Sequence, residues 1–235
     1  DGAVALPDTI TVDIEPTNRC NAECYFCPRD QTPHQGLMTP EVFDQALARA
    51  VELRSVLEPR TGRTLKVNLC GLGEPLLNRH TPDYVRKIRA EGFSCNLASN
   101  ASLLDERRAA ALLDAGLQEI DINVGETAED YESIYKVSWE ATHRNILRFA
   151  EMADGACLVR IVLVDHRNDP EHLRAMKAFW RDAGFDEFHT FPLINRGGSL
   201  QRDNYEFRTA PDRQAVHELL EPVDGEPLCS LPFIS

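Results

Sequence analysis

The chain of 235 residues lacks a run of apolar residues long enough to span a bilayer, and no basic stretch followed by an apolar segment opens it. Those two absences lead to the expectation of a cytoplasmic protein with no membrane partner. Positive charge is in short supply. Lys and Arg number 25 against 38 Asp and Glu, a formal net charge of −13. A field of that sign opposes phosphate binding, so a nucleic-acid partner is not expected. No internal repeat and no low-complexity tract interrupts the sequence. Hydrophobic content is 43%, ordinary for a chain that builds a core. The length suits one sizeable domain.

Cysteine is present, but not as a disulfide framework. There are seven cysteines, an odd count, and no secretory leader accompanies them. Three crowd into eight residues, Cys20-Asn-Ala-Glu-Cys24-Tyr-Phe-Cys27. Three thiolates so close can wrap one iron–sulfur cluster and leave one iron open. The alternative is a structural zinc site with Cys70 or Cys95 as fourth ligand, although zinc sites usually come as two separated pairs. Cys70, Cys95 and Cys157 fall in or beside strand-like runs and read as small buried hydrophobes.

Six β-like runs alternate with amphipathic segments. The runs cover residues 9–15, 65–70, 94–99, 119–124, 158–164 and 187–193. Thr39-Pro40-Glu41 reads as a cap, a proline at the first helical position and an acidic first turn. The helix it opens is expected to carry Val42, Phe43, Leu47, Ala50 and Val51 on one face. Thr81-Pro82-Asp83, Asp169-Pro170-Glu171 and Ala210-Pro211-Asp212 give similar starts. Helices are expected over residues 103–115, ending at Gly116, and over 128–152, 170–183 and 211–220. Strict alternation predicts a parallel sheet with right-handed crossovers. The expected fold is α/β, a partial (β/α)6 TIM-like barrel. The loop over residues 16–38 is long, carries the cysteines and follows the first strand, where active sites of such barrels lie.

The second run ends in Cys70-Gly71-Leu72-Gly73-Glu74-Pro75. Glycines let backbone approach a ligand closely, and a carboxylate such as Glu74 can accept from an ammonium. On the fourth run, alternation turns Ile120, Ile122 and Val124 toward the helices and Asp121 and Asn123 inward. Glu15, Arg160, Asp165 and His189 lie on or beside strands and could line a cavity, with His189 favoured as a core histidine. The segment Asn195-Arg196-Gly197-Gly198 is read as a turn or the rim of that cavity.

The C-x3-C-x2-C spacing, with Phe26 just before its last cysteine, resembles the signature of the radical S-adenosylmethionine (SAM) superfamily. Gly71 to Pro75 resembles that family's Gly-Gly-Glu-Pro motif, with Leu72 inserted. The resemblance runs from about Thr9 to Leu193. It implies an enzyme in which Cys20, Cys24 and Cys27 hold a 4Fe–4S cluster. The reduced cluster would cleave SAM to a 5′-deoxyadenosyl radical that abstracts hydrogen from a substrate. It also implies cosubstrate contacts at Phe26, Gly71, Gly73, Glu74, Ser99, Asn100, Asn123 and Lys136, and an electron donor such as flavodoxin or ferredoxin. Ser99-Asn100-Ala101 stands where relatives show Thr-Asn-Gly, so the family's glycine is missing. Cys229 resembles the first cysteine of SPASM or twitch extensions, which hold auxiliary clusters. The chain is accordingly divided into a barrel over residues 1–200 and a helix with the start of such an extension over 201–235. A small metabolite of aminosugar or nucleoside type is the favoured substrate, because no amino-terminal leader-binding domain is seen. The alternatives are a peptide-modifying maturase and, from another class, a non-catalytic iron–sulfur or zinc redox module.

Overall fold

The computed structural model describes residues 8–32 and 34–193. Cys229, the segment at residues 195–198, the helix expected over 211–220 and the division at residue 201 lie outside the described residues.

Six strands form one sheet in the order of the chain: β1 (Thr9–Ile14), β2 (Thr64–Leu69), β3 (Ser94–Ser99), β4 (Glu119–Asn123), β5 (Leu158–Asp165) and β6 (Phe188–Pro192). Every neighbouring pair is parallel. A doubly wound sheet would reverse its strand order at a switch point. Here the order never reverses, and β1 does not pair with β6. The sheet is a curled, open half-barrel.

Alternation along the strands separates two faces. Leu65, Val67 and Leu69 on β2, Cys95 and Leu97 on β3, Ile120 and Ile122 on β4, and Ile161 and Leu163 on β5 are all buried in one core. The helices close over that face: α1 (Pro40–Thr61), α2 (Thr81–Ala90), α3 (Glu106–Asp114), α4 (Ala128–Tyr135), α5 (Trp139–Ala153) and α6 (Pro170–Asp182). As expected, Thr39 caps α1 by accepting from the Val42 amide, and Asp169 caps α6 by accepting from the Glu171 amide. Gly116 follows α3 at φ +85°, a conformation that suits glycine. Among the described residues no helix is long and apolar enough to cross a membrane.

Several expectations need correction. The helix expected over 128–152 is two helices, because Lys136 turns left-handed at φ 58° and Ser138 then caps α5 from its hydroxyl. Val42 is 49% exposed, so the apolar face of α1 rests on Phe43, Leu47 and Ala50. Thr81 lies inside α2 rather than capping it, and its hydroxyl donates to the Pro75 carbonyl at 2.6 Å. His189 is exposed, not a core histidine, because it stands on the lumen side of the edge strand β6. Cys95 and Cys157 are buried as expected, but Cys70 is only partly buried, with its sulfur 3.0 Å from the Asn68 amide nitrogen.

Candidate functional site

The carboxyl ends of β1, β2 and β3 open into three loops that lock together. The cysteine loop leaves β1 at Glu15. Its path is fixed by the turn after β2, where the Glu74 amide donates to the Arg19 carbonyl at 2.8 Å. A Cβ on Gly73 would sit 2.0 Å from the Thr17 carbonyl oxygen and 2.6 Å from that of Arg19. A Cβ on Gly71 would sit 2.1 Å from Glu15 Oε1, which accepts from the Leu72 amide at 2.5 Å. Gly73 is therefore required by the approach of one backbone to the other, whereas at Gly71 a side chain would have to displace that of Glu15.

Glu74 is 1% exposed. Its carboxylate accepts from the Leu76 amide at 3.0 Å, the Ser99 hydroxyl at 2.9 Å and the Asn100 amide at 2.8 Å. Burial pushes its pKa up, against those three bonds. The side chain staples the end of β2 to the end of β3. This differs from the expectation of a carboxylate facing a ligand's ammonium: all of its reach is directed into the protein. Ser99, 2% exposed, belongs to the same staple.

Asn100 joins the staple to the cysteines. Its side-chain amide stands 3.7 Å from Cys20 Sγ and 3.2 Å from Asn21 Oδ1. Its own oxygen accepts from the Ser102 amide and hydroxyl, and Asn21 donates to that hydroxyl at 2.8 Å. The Ala22 amide points at Cys20 Sγ from 3.4 Å, and Arg29 donates to the Cys20 carbonyl at 2.6 Å. Asn21, Arg29 and Ser102 were missed in the sequence, where nothing marks them.

The three thiols lie in one partly buried loop. Burial raises the pKa of Cys20, with the charges of Glu74 and Cys27 adding to it. Cys24 is pushed up to about 12 by burial, then by Cys27 and Cys20. A cation among them, whether of an iron–sulfur cluster or a metal ion, would favour the thiolate forms that burial disfavours. The ligand atoms of this trio do not converge within 4.8 Å of one another; among the described residues only Glu126, His166 and His172 do. Thiolates on one zinc would stand ~4 Å apart, given Zn–S bonds of ~2.3 Å and tetrahedral angles. A cubane offers each thiolate its own iron, whereas a single zinc would draw all three sulfurs together.

Phe26 packs edge-on against Tyr25 and Tyr135, with ring centres 5.2 and 6.0 Å apart. The Tyr135 carbonyl accepts from the Glu23 amide at 3.0 Å, which brings the end of α4 to the cysteine loop. Lys136 follows at once and is exposed. Asn123 ends β4 half-buried beside buried Ile122 and Val124, as alternation predicted. Among the described residues no hydrogen bond joins it to the cysteine loop.

Below this rim the inner face of the sheet is polar. Asn68 donates to Asp13, and Asn96 donates to both Asn68 and Asp121, at 2.8–3.0 Å. Arg160 bonds Asp121 at 2.6 Å and Glu119 at 3.3 Å, and Lys66 bonds Glu119 at 2.9 Å. Of these, sequence reading had placed Asp121 inward and Arg160 on the cavity wall. The others carry a signal in hindsight, because Lys66 and Asn68 alternate with Leu65, Val67 and Leu69.

The family model for the radical SAM superfamily matches residues 14–179. A protein named probable GTP 3',8-cyclase, from Metallosphaera sedula, is 29% identical over 197 residues, covering 81% of this chain and 57% of its own. A PqqA peptide cyclase from Rhodopseudomonas palustris is 32% identical over 117 residues, covering 48% of this chain and 28% of its own. The chain thus spans little more than half the length of the first relative and less of the second. Among solved structures, Streptococcus suis SuiB bound to S-adenosylmethionine superposes with a TM-score of 0.61 at 14% identity, over 81% of this chain and 42% of its own. That likeness shows the fold. The family match spans most of the half-barrel, including both loops locked around Cys20, and on it the chain belongs to the radical SAM superfamily.

Proposed function

We propose that Cys20, Cys24 and Cys27 hold a 4Fe–4S cluster with one open iron for SAM, and that the protein abstracts hydrogen from a small polar metabolite. The observation that carries this reading is the meeting of three loops at Cys20: the cysteine loop, the Gly71–Glu74 turn and Asn100. When bound and reduced, the cluster supplies the electron that cleaves SAM to a 5′-deoxyadenosyl radical. The chain's own part is to place and shield the reactants. The Gly71–Gly73 backbone and Phe26 flank the cosubstrate, Asn123 reaches it from β4, and Lys136 meets its carboxylate. Glu74 and Ser99 act as positioning residues through Asn100. A protein electron donor of flavodoxin or ferredoxin type delivers the reductant.

The substrate reading rests on the polar inner face. Asp13, Asn68, Asn96, Asp121 and Arg160 form a dense set of donors and acceptors, suited to the hydroxyl and amino groups of a compact metabolite. The kinship with a GTP 3',8-cyclase over most of this chain favours the same class. A peptide substrate is the second reading, favoured by the shorter match to a peptide cyclase.

The test is anaerobic reconstitution with iron and sulfide, followed by dithionite and SAM. Formation of 5′-deoxyadenosine is expected, and its absence from a fully loaded chain would defeat the reading. Transfer of deuterium into 5′-deoxyadenosine from labelled candidates then separates metabolite from peptide. A colourless protein carrying one zinc at the three cysteines would instead support a redox or structural module.

A further inference from the structure

A second cluster of metal-binding side chains stands beside the cysteine loop on the same rim. Glu126 lies on the loop after β4, His166 directly follows β5, and His172 is in the first turn of α6. Glu126 is 1% exposed and His166 5%. One ligand atom from each lies within 4.8 Å of the other two.

The backbone holds these residues in place. A Cβ on Gly125 would meet Tyr135 Oη at 2.9 Å and the Val164 carbonyl at 3.1 Å, so the loop carrying Glu126 is pressed against the end of β5, two residues before His166. Asn168 turns left-handed at φ 53°, and Asp169 then caps α6. That sharp reversal brings His172 back over His166.

The hydrogen bonding leaves one nitrogen over. Glu126 Oε1 has His166 Nε2 at 2.6 Å, Arg167 Nε at 2.5 Å and His172 Nε2 at 2.8 Å. A carboxylate oxygen offers two lone pairs. His166 and Arg167 fill them. His172 Nε2 touches the same oxygen only as an ion-pair contact, outside hydrogen-bonding geometry, and is buried with no hydrogen-bond partner. Arg167 also holds Asp130 at 2.7 Å, so it keeps an anchor if it leaves Oε1. An orphaned imidazole nitrogen, a second imidazole and a carboxylate, converging from three elements, make the donor set of a divalent transition metal with open positions. His166 Nδ1 lies 3.4 Å from the Tyr25 hydroxyl, the outer partner that metal-bound imidazoles usually have.

We propose that Glu126, His166 and His172 bind one divalent transition metal ion, of the zinc or iron(II) class, separate from the cysteine cluster. Three protein ligands leave at least one position for water or a substrate oxygen. Tyr25, between Cys24 and Phe26, links the two centres.

Zinc is the probe. The cluster-loaded full chain is washed with chelator, given zinc, desalted, and assayed for zinc, iron and sulfide. About one zinc per chain is expected to remain on the wild type. His166→Gln and His172→Gln are each expected to weaken zinc binding roughly tenfold or more, with iron, sulfide and circular dichroism unchanged. Loss of all zinc from the wild type, or retention by both variants at the wild-type level, would overturn the proposal. Failure of the cluster reading registers separately, as missing iron and sulfide. In that event the same measurement is made on the chain with its thiols alkylated, with the same two outcomes.

Discussion

Gly73 is where a single methyl group decides whether two loops can meet. Its Cβ would lie 2.0 Å from a carbonyl oxygen of the cysteine loop, and backbone cannot swing aside as a side chain can. Gly73→Ala should destabilise the fold by about 1–3 kcal/mol and reduce cluster loading, read by urea denaturation and by iron content. Asn100 offers a finer probe, because its amide points at Cys20 Sγ. Hydrogen bonds to cluster sulfurs raise the reduction potential by stabilising the added electron. Asn100→Ala should therefore load a cluster of lower potential, measured by redox titration followed by electron paramagnetic resonance. The cysteines and the Gly71–Glu74 turn were legible in the sequence because their spacing is local. Asn21, Ser102 and Asn96 were not. Asn21 meets Ser102 across 81 residues and Asn96 meets Asn68 across 28, and only the curl of the sheet brings them together. For Glu74 the sequence located the residue but not its direction, since the staple to β3 depends on the distant Ser99 and Asn100.

The strands were easier to read than the helices around them. Each β run carries its own period of two, and a parallel core strand buries enough branched apolar residues to mark its limits within about two residues. The long segment after β4 misled because both of its helices are amphipathic and no Gly or Pro separates them. Lys136 makes the break with a left-handed backbone that no sequence rule assigns to lysine. The second helix does carry a signal, Ser138 followed by Glu140 in its first turn. Ser138→Ala should lower stability by about 1 kcal/mol and loosen the first turn of α5. Denaturant titration reads the first effect and amide hydrogen exchange at residues 139–142 the second. Spread of the exchange into α4 would mean instead that the two helices open as one unit.

Across the whole molecule, the half-barrel carries a dry core outside the sheet and a charged network inside it. The network ties β1 to β5 through Asp13, Asn68, Asn96, Asp121 and Arg160, with Glu119 bridging Lys66 and Arg160. Burial alone would raise the pKa of Glu119, but the bonds from Lys66 and Arg160 outweigh it and hold the carboxyl below the usual range. In the unfolded chain the same group titrates near about 4.3. Between the folded and unfolded values the unfolded chain binds more protons, so stability falls as pH drops through that window. The contribution is fully present above about pH 5 and gone once the folded carboxyl is protonated. Solvent screens this site in part, which limits the pair energies to roughly 1 kcal/mol or less. Glu119→Gln should accordingly be less stable than the wild type near neutral pH, with the gap closing as pH falls below about 4. Urea denaturation at both ends of that range measures it. A gap that stays constant with pH would assign the loss to packing around Lys66 and Arg160 rather than to the charge that joins them.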